Sequence, residues 1–170
     1  MAAQLDTQVV RSRRRASKSR AHIEPEPKFM PPETEPPRTP RIVLAEDDAE
    51  LRRLLATKLR KRGYEVVDMG TGERLAQYLI VEGRLADTDL IVSDIRMPGL
   101  SGMDMLAYLG IRGEFPPVVL ITGFGDWRVH EEAMKLVALT VFDKPLDLDD
   151  LVTWITDAIP PGGASDKSAA

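Results

Sequence analysis

Five short apolar runs alternate with five segments of helical period, and this alternation constrains the fold more than any other feature of the chain. The runs are Arg41 to Ala45, Tyr64 to Val67, Leu90 to Ser93, Pro117 to Ile121 and Thr140 to Phe142. Apart from Arg41, Glu65, Ser93 and Thr140 they are apolar, without a regular alternation of polar residues. A strand of that kind is covered on both faces, which is the habit of parallel sheets flanked by helices. Right-handed crossovers then predict a doubly wound α/β fold, a five-stranded parallel sheet with helices on both faces.

The helical segments carry their own punctuation. Leu51, Leu54, Leu55 and Leu59 fall on one helix face, and Gly63 ends that helix. The spacing of Leu75, Leu79 and Ile80 predicts a second helix over residues 71–83, with Gly83 near its end. Ser101 is placed to cap a third helix carrying Met105, Leu106 and Leu109. Asp126 is placed to cap a fourth, with Val129, Ala133 and Leu136 inward. Asp147 heads the last, whose inner face is Leu148, Leu151, Val152, Ile155 and Ile159. Pro160 and Pro161 stop it.

The ends read differently. Residues 11–20 hold six basic residues and no apolar period, and residues 25–40 hold seven prolines. Residues 1–40 are therefore expected to be a disordered, basic and Pro-rich arm, with the folded domain at 41–159 and a flexible tail at 160–170. The net charge of −4 divides into +3 over residues 1–40 and −7 over the remainder, so nucleic-acid binding is expected, if at all, only through the arm. There is no cysteine, which excludes disulfides and thiol chemistry. No apolar run approaches the ~18 residues of a membrane span. Residues 1–22 lack the apolar stretch of a secretory signal, and a cytoplasmic location is expected.

Polar groups stand where the strands stop. Glu46, Asp47 and Asp48 follow the first strand, Asp94 the third, Thr122 and Gly123 the fourth, and Asp143, Lys144 and Pro145 the fifth. In doubly wound sheets the site lies beyond the carboxyl ends of the strands, so these groups are expected to converge. Asp48 reads as an N-cap. The other carboxylates would repel one another, and a hard divalent cation such as Mg²⁺ relieves that repulsion through oxygen ligands. A carboxylate beside Mg²⁺ can attack a phosphoryl group, while a lysine and a hydroxyl hold the transferred oxygens.

Residues 41–159 resemble the receiver domain of bacterial two-component response regulators. The resemblance rests on residues 42–48, 90–102, 120–123 and 142–146, and the long central stretch is the most specific. It implies a flavodoxin-like strand order, 2-1-3-4-5. It also implies that Asp94 accepts the phosphoryl group. Mg²⁺ would be held by Glu46, Asp47, Asp94 and the backbone carbonyl of Arg96. Thr122, Gly123 and Lys144 would surround the phosphoryl group, and the bond before Pro145 is often cis in this family. The implied partners are a sensor histidine kinase or a histidine phosphotransfer protein, and an effector meeting the face of helix 4, strand 5 and helix 5.

The chain departs from the family pattern in places. The family often carries an aromatic switch residue three positions before the lysine. Here that position is Val141, and Phe142 comes one step later, on the opposite sheet face by strand alternation. Arg96 and Phe124 occupy positions where the family tunes phosphoryl lifetime. Trp127 is a candidate for exposure at a partner surface. Related phosphatases carry a second aspartate two residues after the nucleophile, where this chain has Arg96, so an enzyme acting on other substrates is not expected. Eleven residues follow Ile159, which leads to the expectation of a receiver acting in trans. The competing reading is a pseudo-receiver that binds proteins without phosphorylation.

Overall fold

The computed structural model describes residues 38–113, 115–123 and 127–162. Five parallel strands form one sheet in the order β2-β1-β3-β4-β5. They are β1 (Arg41–Ala45), β2 (Glu65–Met69), β3 (Leu90–Asp94), β4 (Val118–Thr122) and β5 (Thr140–Asp143). The helices are α1 (Ala49–Lys61), α2 (Gly72–Ala76), α3 (Gly102–Arg112), α4 (Trp127–Lys135) and α5 (Leu148–Ala158). The doubly wound reading and its strand order stand.

The sheet divides the apolar residues by strand alternation. Ile42, Leu44, Leu90, Val92, Val119 and Ile121 face α1 and α5, where Leu55, Leu59, Leu151, Val152 and Ile155 meet them. Val43, Ala45, Ile91 and Leu120 face the other way, toward Leu75, Leu79, Met105, Leu106, Leu109 and Ala133. Each fully buried Leu or Ile contributes about 1.5–3 kcal/mol of transfer free energy. β3 and β4 are buried at every residue, as the unbroken apolar runs require.

Several boundaries differ from the sequence reading, each for a local reason. Tyr64 does not begin β2. Its N–H bonds back to the Leu59 carbonyl and closes α1, and its hydroxyl donates to the Ile159 carbonyl at 2.5 Å. β2 starts at Glu65 and runs on through Asp68 and Met69, which pair with Leu44 and Ala45. β4 starts one residue later than expected, at Val118. Leu54 does not share the buried face of α1, being 43% exposed, because Leu55 and Leu59 already fill the space under β1.

The single helix expected over 71–83 is instead α2 followed by one π-helical turn over Gln77–Val81. The Glu82 N–H reaches the Gln77 carbonyl, an i→i+5 bond at 3.0 Å. The wider turn keeps Leu79 buried and carries Val81 outward to 80% exposure. Thr71 caps α2, Ser101 and Asp104 form a reciprocal capping box on α3, and Asp147 caps α5. Asp126, Phe124, residues 1–37 of the arm and residues 163–170 of the tail lie outside the described residues.

Candidate functional site

Three strands end in the residues that matter. β3 closes on Asp94 itself and β4 on Thr122, while β1 stops one residue short of Glu46. Asp94 pairs in register with Ile121, and Thr122 with Asp143. The Lys144 N–H donates to the Thr122 carbonyl at 2.7 Å, so the chain leaving β5 is tied to the end of β4. The Lys144–Pro145 peptide bond is cis. These ladder bonds deliver Glu46, Asp94, Thr122 and Lys144 to one edge of the sheet.

The acidic groups cluster there. Glu46, Asp47 and Asp94 each present an oxygen, and the three atoms lie within 4.8 Å of one another. Glu46 and Asp94 are buried, at 0% and 3% exposure, whereas Asp47 opens to solvent. Lys144 holds the buried pair together. Its Nζ donates to Asp94 Oδ2 at 2.5 Å and to Glu46 Oε1 at 2.9 Å. The second Asp94 oxygen, Oδ1, accepts from the Arg96 N–H at 2.8 Å. Glu46 Oε1 also accepts from the Asp48 N–H at 3.2 Å. Glu46 Oε2 is buried and makes no hydrogen bond among the described residues.

Electrostatics follow from that packing. Burial pushes the Glu46 carboxyl up to about 7; the Lys144 hydrogen bond opposes the rise, and the Asp94 charge adds to it. For Lys144, burial works to lower the pKa, but the hydrogen bonds to Asp94 and Glu46 prevail and raise it. Asp48 stands apart as the N-cap of α1, accepting from the Glu50 and Leu51 N–H groups, and those bonds hold its carboxyl below the ordinary range. An orphaned buried carboxylate oxygen beside two further carboxylates is a donor set of hard oxygens, and it fits a divalent cation of the Mg²⁺ class.

The remaining expected residues fall into two groups. Thr122 is buried beside this cluster at 1% exposure. Among the described residues, a Cβ added at Gly123 would meet only the Lys144 Cδ, at 3.9 Å. Val141 and Phe142 sit on opposite faces: Val141 packs with the α2–α3–α4 side, and Phe142 with the α1–α5 side. The Phe142 ring meets Trp154 edge-on, with centroids 5.8 Å apart, on the α1–α5 side of the sheet. Trp127 is 68% exposed, with Arg128 stacked over it.

Sequence reasoning passed over three contributors. Gly102 brings the start of α3 against Asp94, where an added Cβ would lie 2.5 Å from the Asp94 carbonyl oxygen. Arg52 donates from Nη1 to the Glu46 carbonyl at 2.5 Å. His130 on α4 pairs through Nε2 with Asp143 Oδ1 at 2.9 Å. Gly102 could have been noticed as a glycine just inside a helix start. Arg52 meets main-chain carbonyls and His130 a side chain of another element, and no periodicity signals either contact.

The sheet order and the carboxylates gathered around one lysine at its carboxyl edge make this a doubly wound α/β domain with an acidic strand-end site. The model of the response regulator receiver domain matches residues 42–156, and the chain belongs to that family. The transcriptional regulatory protein FixJ of Azorhizobium caulinodans is 38% identical over 106 residues, 62% of this chain and 48% of that protein. The sporulation initiation phosphotransferase F of Bacillus subtilis is 27% identical over 120 residues, 71% of this chain and 94% of that protein. A response regulator receiver domain protein from Clostridium thermocellum has a solved structure with a TM-score of 0.63 and 27% identity, covering 71% of this chain and 94% of its own. The chain spans about half the length of the first curated relatives it matches, from 48% to 56%. Among the described residues, no helix is long and apolar enough to cross a membrane.

Proposed function

We propose that the chain is a phospho-accepting receiver: Asp94 takes a phosphoryl group from a phosphohistidine partner, and the event is read by a protein effector. The observation that carries this is the Lys144 ammonium set between the buried Glu46 and Asp94 carboxylates, with an oxygen of Asp47 within 4.8 Å of theirs. In the transfer, the phosphorus–nitrogen bond of phosphohistidine breaks and a bond to an Asp94 oxygen forms. The imidazole leaves with its electron pair and picks up a proton. Mg²⁺, bound by Glu46, Asp47, Asp94 and the Arg96 carbonyl, would supply charge neutralisation for the incoming phosphoryl oxygens.

The protein's own groups do the rest. Lys144 already points at Asp94 and is held there, so it pairs with a phosphoryl oxygen with little rearrangement. Thr122 donates its hydroxyl to another oxygen, and Gly123 leaves the space in which that oxygen sits. Thr122 and Lys144 closing on the phosphoryl group draw β4, β5 and α4 together, and the effector binds that arrangement better. Trp127, Met134, Val137 and Leu139 are exposed apolar residues on α4 and the turn into β5, at 68%, 57%, 70% and 46%. They suit a partner surface made of α4, β5 and α5. Val141 leaves the aromatic switch position aliphatic, so the coupling runs through Thr122 and Lys144.

The test is binding of beryllofluoride, a mimic of the acyl phosphate, followed by tryptophan fluorescence in wild type and Asp94→Asn. Saturable binding that requires both Mg²⁺ and Asp94 is expected. A chain that ignores beryllofluoride and Mg²⁺ alike is a pseudo-receiver that keeps the fold and binds proteins without phosphorylation.

A further inference from the structure

We propose that Arg52 is a positioning residue for the acidic site, acting through the main-chain carbonyls of Glu46 and Asp47. The inference rests on the receiver reading above and deepens it. Arg52 Nη1 donates to the Glu46 carbonyl oxygen at 2.5 Å and reaches that of Asp47 at 3.4 Å. On its other edge, Nε lies 3.8 Å from Asp68 Oδ2. Asp68 is itself anchored, its Oδ1 accepting from Arg60 Nη2 at 2.5 Å. The Arg52 side chain is only 21% exposed. Its backbone N–H makes the first bond of α1, to the Asp48 carbonyl at 2.9 Å, so the side chain that reaches back to the β1–α1 loop starts from the fixed first turn of the helix.

Chemistry explains the choice of residue. A guanidinium holds several donors in one rigid plane, and here that plane spans two carbonyls and a carboxylate. The Glu46 and Asp47 carbonyls fix the two peptide planes from which the site's first two carboxylates project. Freed, the loop could turn about those planes, and the oxygens would drift out of their mutual 4.8 Å.

Gly70 supplies an independent sign that this space belongs to Arg52. A Cβ there would lie 2.9 Å from Arg52 Nη1 and 3.4 Å from its Cζ. The φ of Gly70 is not positive, so its backbone conformation does not call for glycine. The room left for the guanidinium does. Gly70→Ala should therefore push Arg52 off the loop without straining the main chain.

The experiment uses the full chain in wild type, Arg52→Ala, Arg52→Lys, Gly70→Ala, Arg52→Ala with Gly70→Ala, and Arg60→Ala. Two quantities are read: Mg²⁺ affinity by titration, and amide exchange at Asp48, whose N–H bonds to Glu46 Oε1. Losing an outer partner of metal ligands weakens binding by about 10- to 100-fold, and Arg52→Ala is expected at the lower end, with faster Asp48 exchange. Arg52→Lys recovers part of the affinity. Gly70→Ala weakens Mg²⁺ binding on its own and adds nothing once Arg52 is gone. Arg60→Ala, which loses the Asp68 pair but touches neither carbonyl, lowers thermal stability more than Mg²⁺ affinity.

Mg²⁺ affinity within about two-fold of wild type in folded Arg52→Ala, with Asp48 exchange unchanged, overturns the proposal. So does a Gly70→Ala effect that persists in full without Arg52. Should Arg52→Ala fail to fold, Arg52→Lys and Gly70→Ala decide by the same two readouts. A wild type that binds no Mg²⁺ defeats the receiver reading instead, while the exchange comparison still decides whether Arg52 holds the loop.

Discussion

Glu46 shows how a single side chain can link folding, pH and ion binding. Its carboxyl is buried and raised to about 7, against an unfolded value of 4.5. Between those values the folded state holds a proton that the unfolded chain has released. The stability contributed by Glu46 is therefore fully present below the unfolded value and is lost as pH rises through about 7. Metal-free protein in urea should unfold at a lower denaturant concentration at pH 8 than at pH 5 to the extent that Glu46 is responsible, and Glu46→Gln should remove that part of the slope. A cation competes with the same proton, so Mg²⁺ affinity should rise with pH across this window in wild type. A denaturant midpoint difference unaltered by Glu46→Gln would show that the carboxyl titrates normally. This behaviour was not legible in the sequence. An acidic pair after a strand signals a site, but which member is buried depends on the turn that β1 makes.

At the scale of single elements, α4 ends under strain. Val137 has φ 69°, the left-handed region that β-branched residues avoid. The cause is a Schellman end: the Ala138 N–H bonds to the Ala133 carbonyl and the Val137 N–H to the Met134 carbonyl. Val137→Gly should relieve about 1 kcal/mol and raise the melting temperature by a few degrees, readable by calorimetry. A lower melting temperature would mean that the exposed side chain contributes more than the backbone loses. Helix α1 offers a second check. Leu59 is fully buried and Leu54 is 43% exposed, so Leu59→Ala should cost about 2–5 kcal/mol and Leu54→Ala under about 1. The leucine spacing alone put both on one face. A face wide enough for four leucines is wider than the strip that β1 and α5 cover, and the sequence does not state that width. The π turn after α2 was hidden for a similar reason, because an extra residue in a helix leaves its neighbours' apolar spacing nearly intact.

At the scale of the molecule, the parallel sheet and its order were legible because buried parallel strands must be apolar throughout and must alternate with helices. The site was legible as four strand ends, since a doubly wound sheet presents them all at one edge. Their contacts were not. Lys144 bridges Asp94 and Glu46 across most of the chain, while Gly102 pressing on Asp94 and Arg52 gripping the loop are close in sequence but involve main-chain oxygens, which no side-chain pattern reports. Asp94 as phosphoacceptor is the central proposal. The most direct measurement is intact mass after incubation with acetyl phosphate, with and without Mg²⁺, in wild type and Asp94→Asn. One added phosphoryl group is expected in wild type, only with Mg²⁺, and none in Asp94→Asn. Modification that persists in Asp94→Asn, or a wild type that never gains mass, would contradict it.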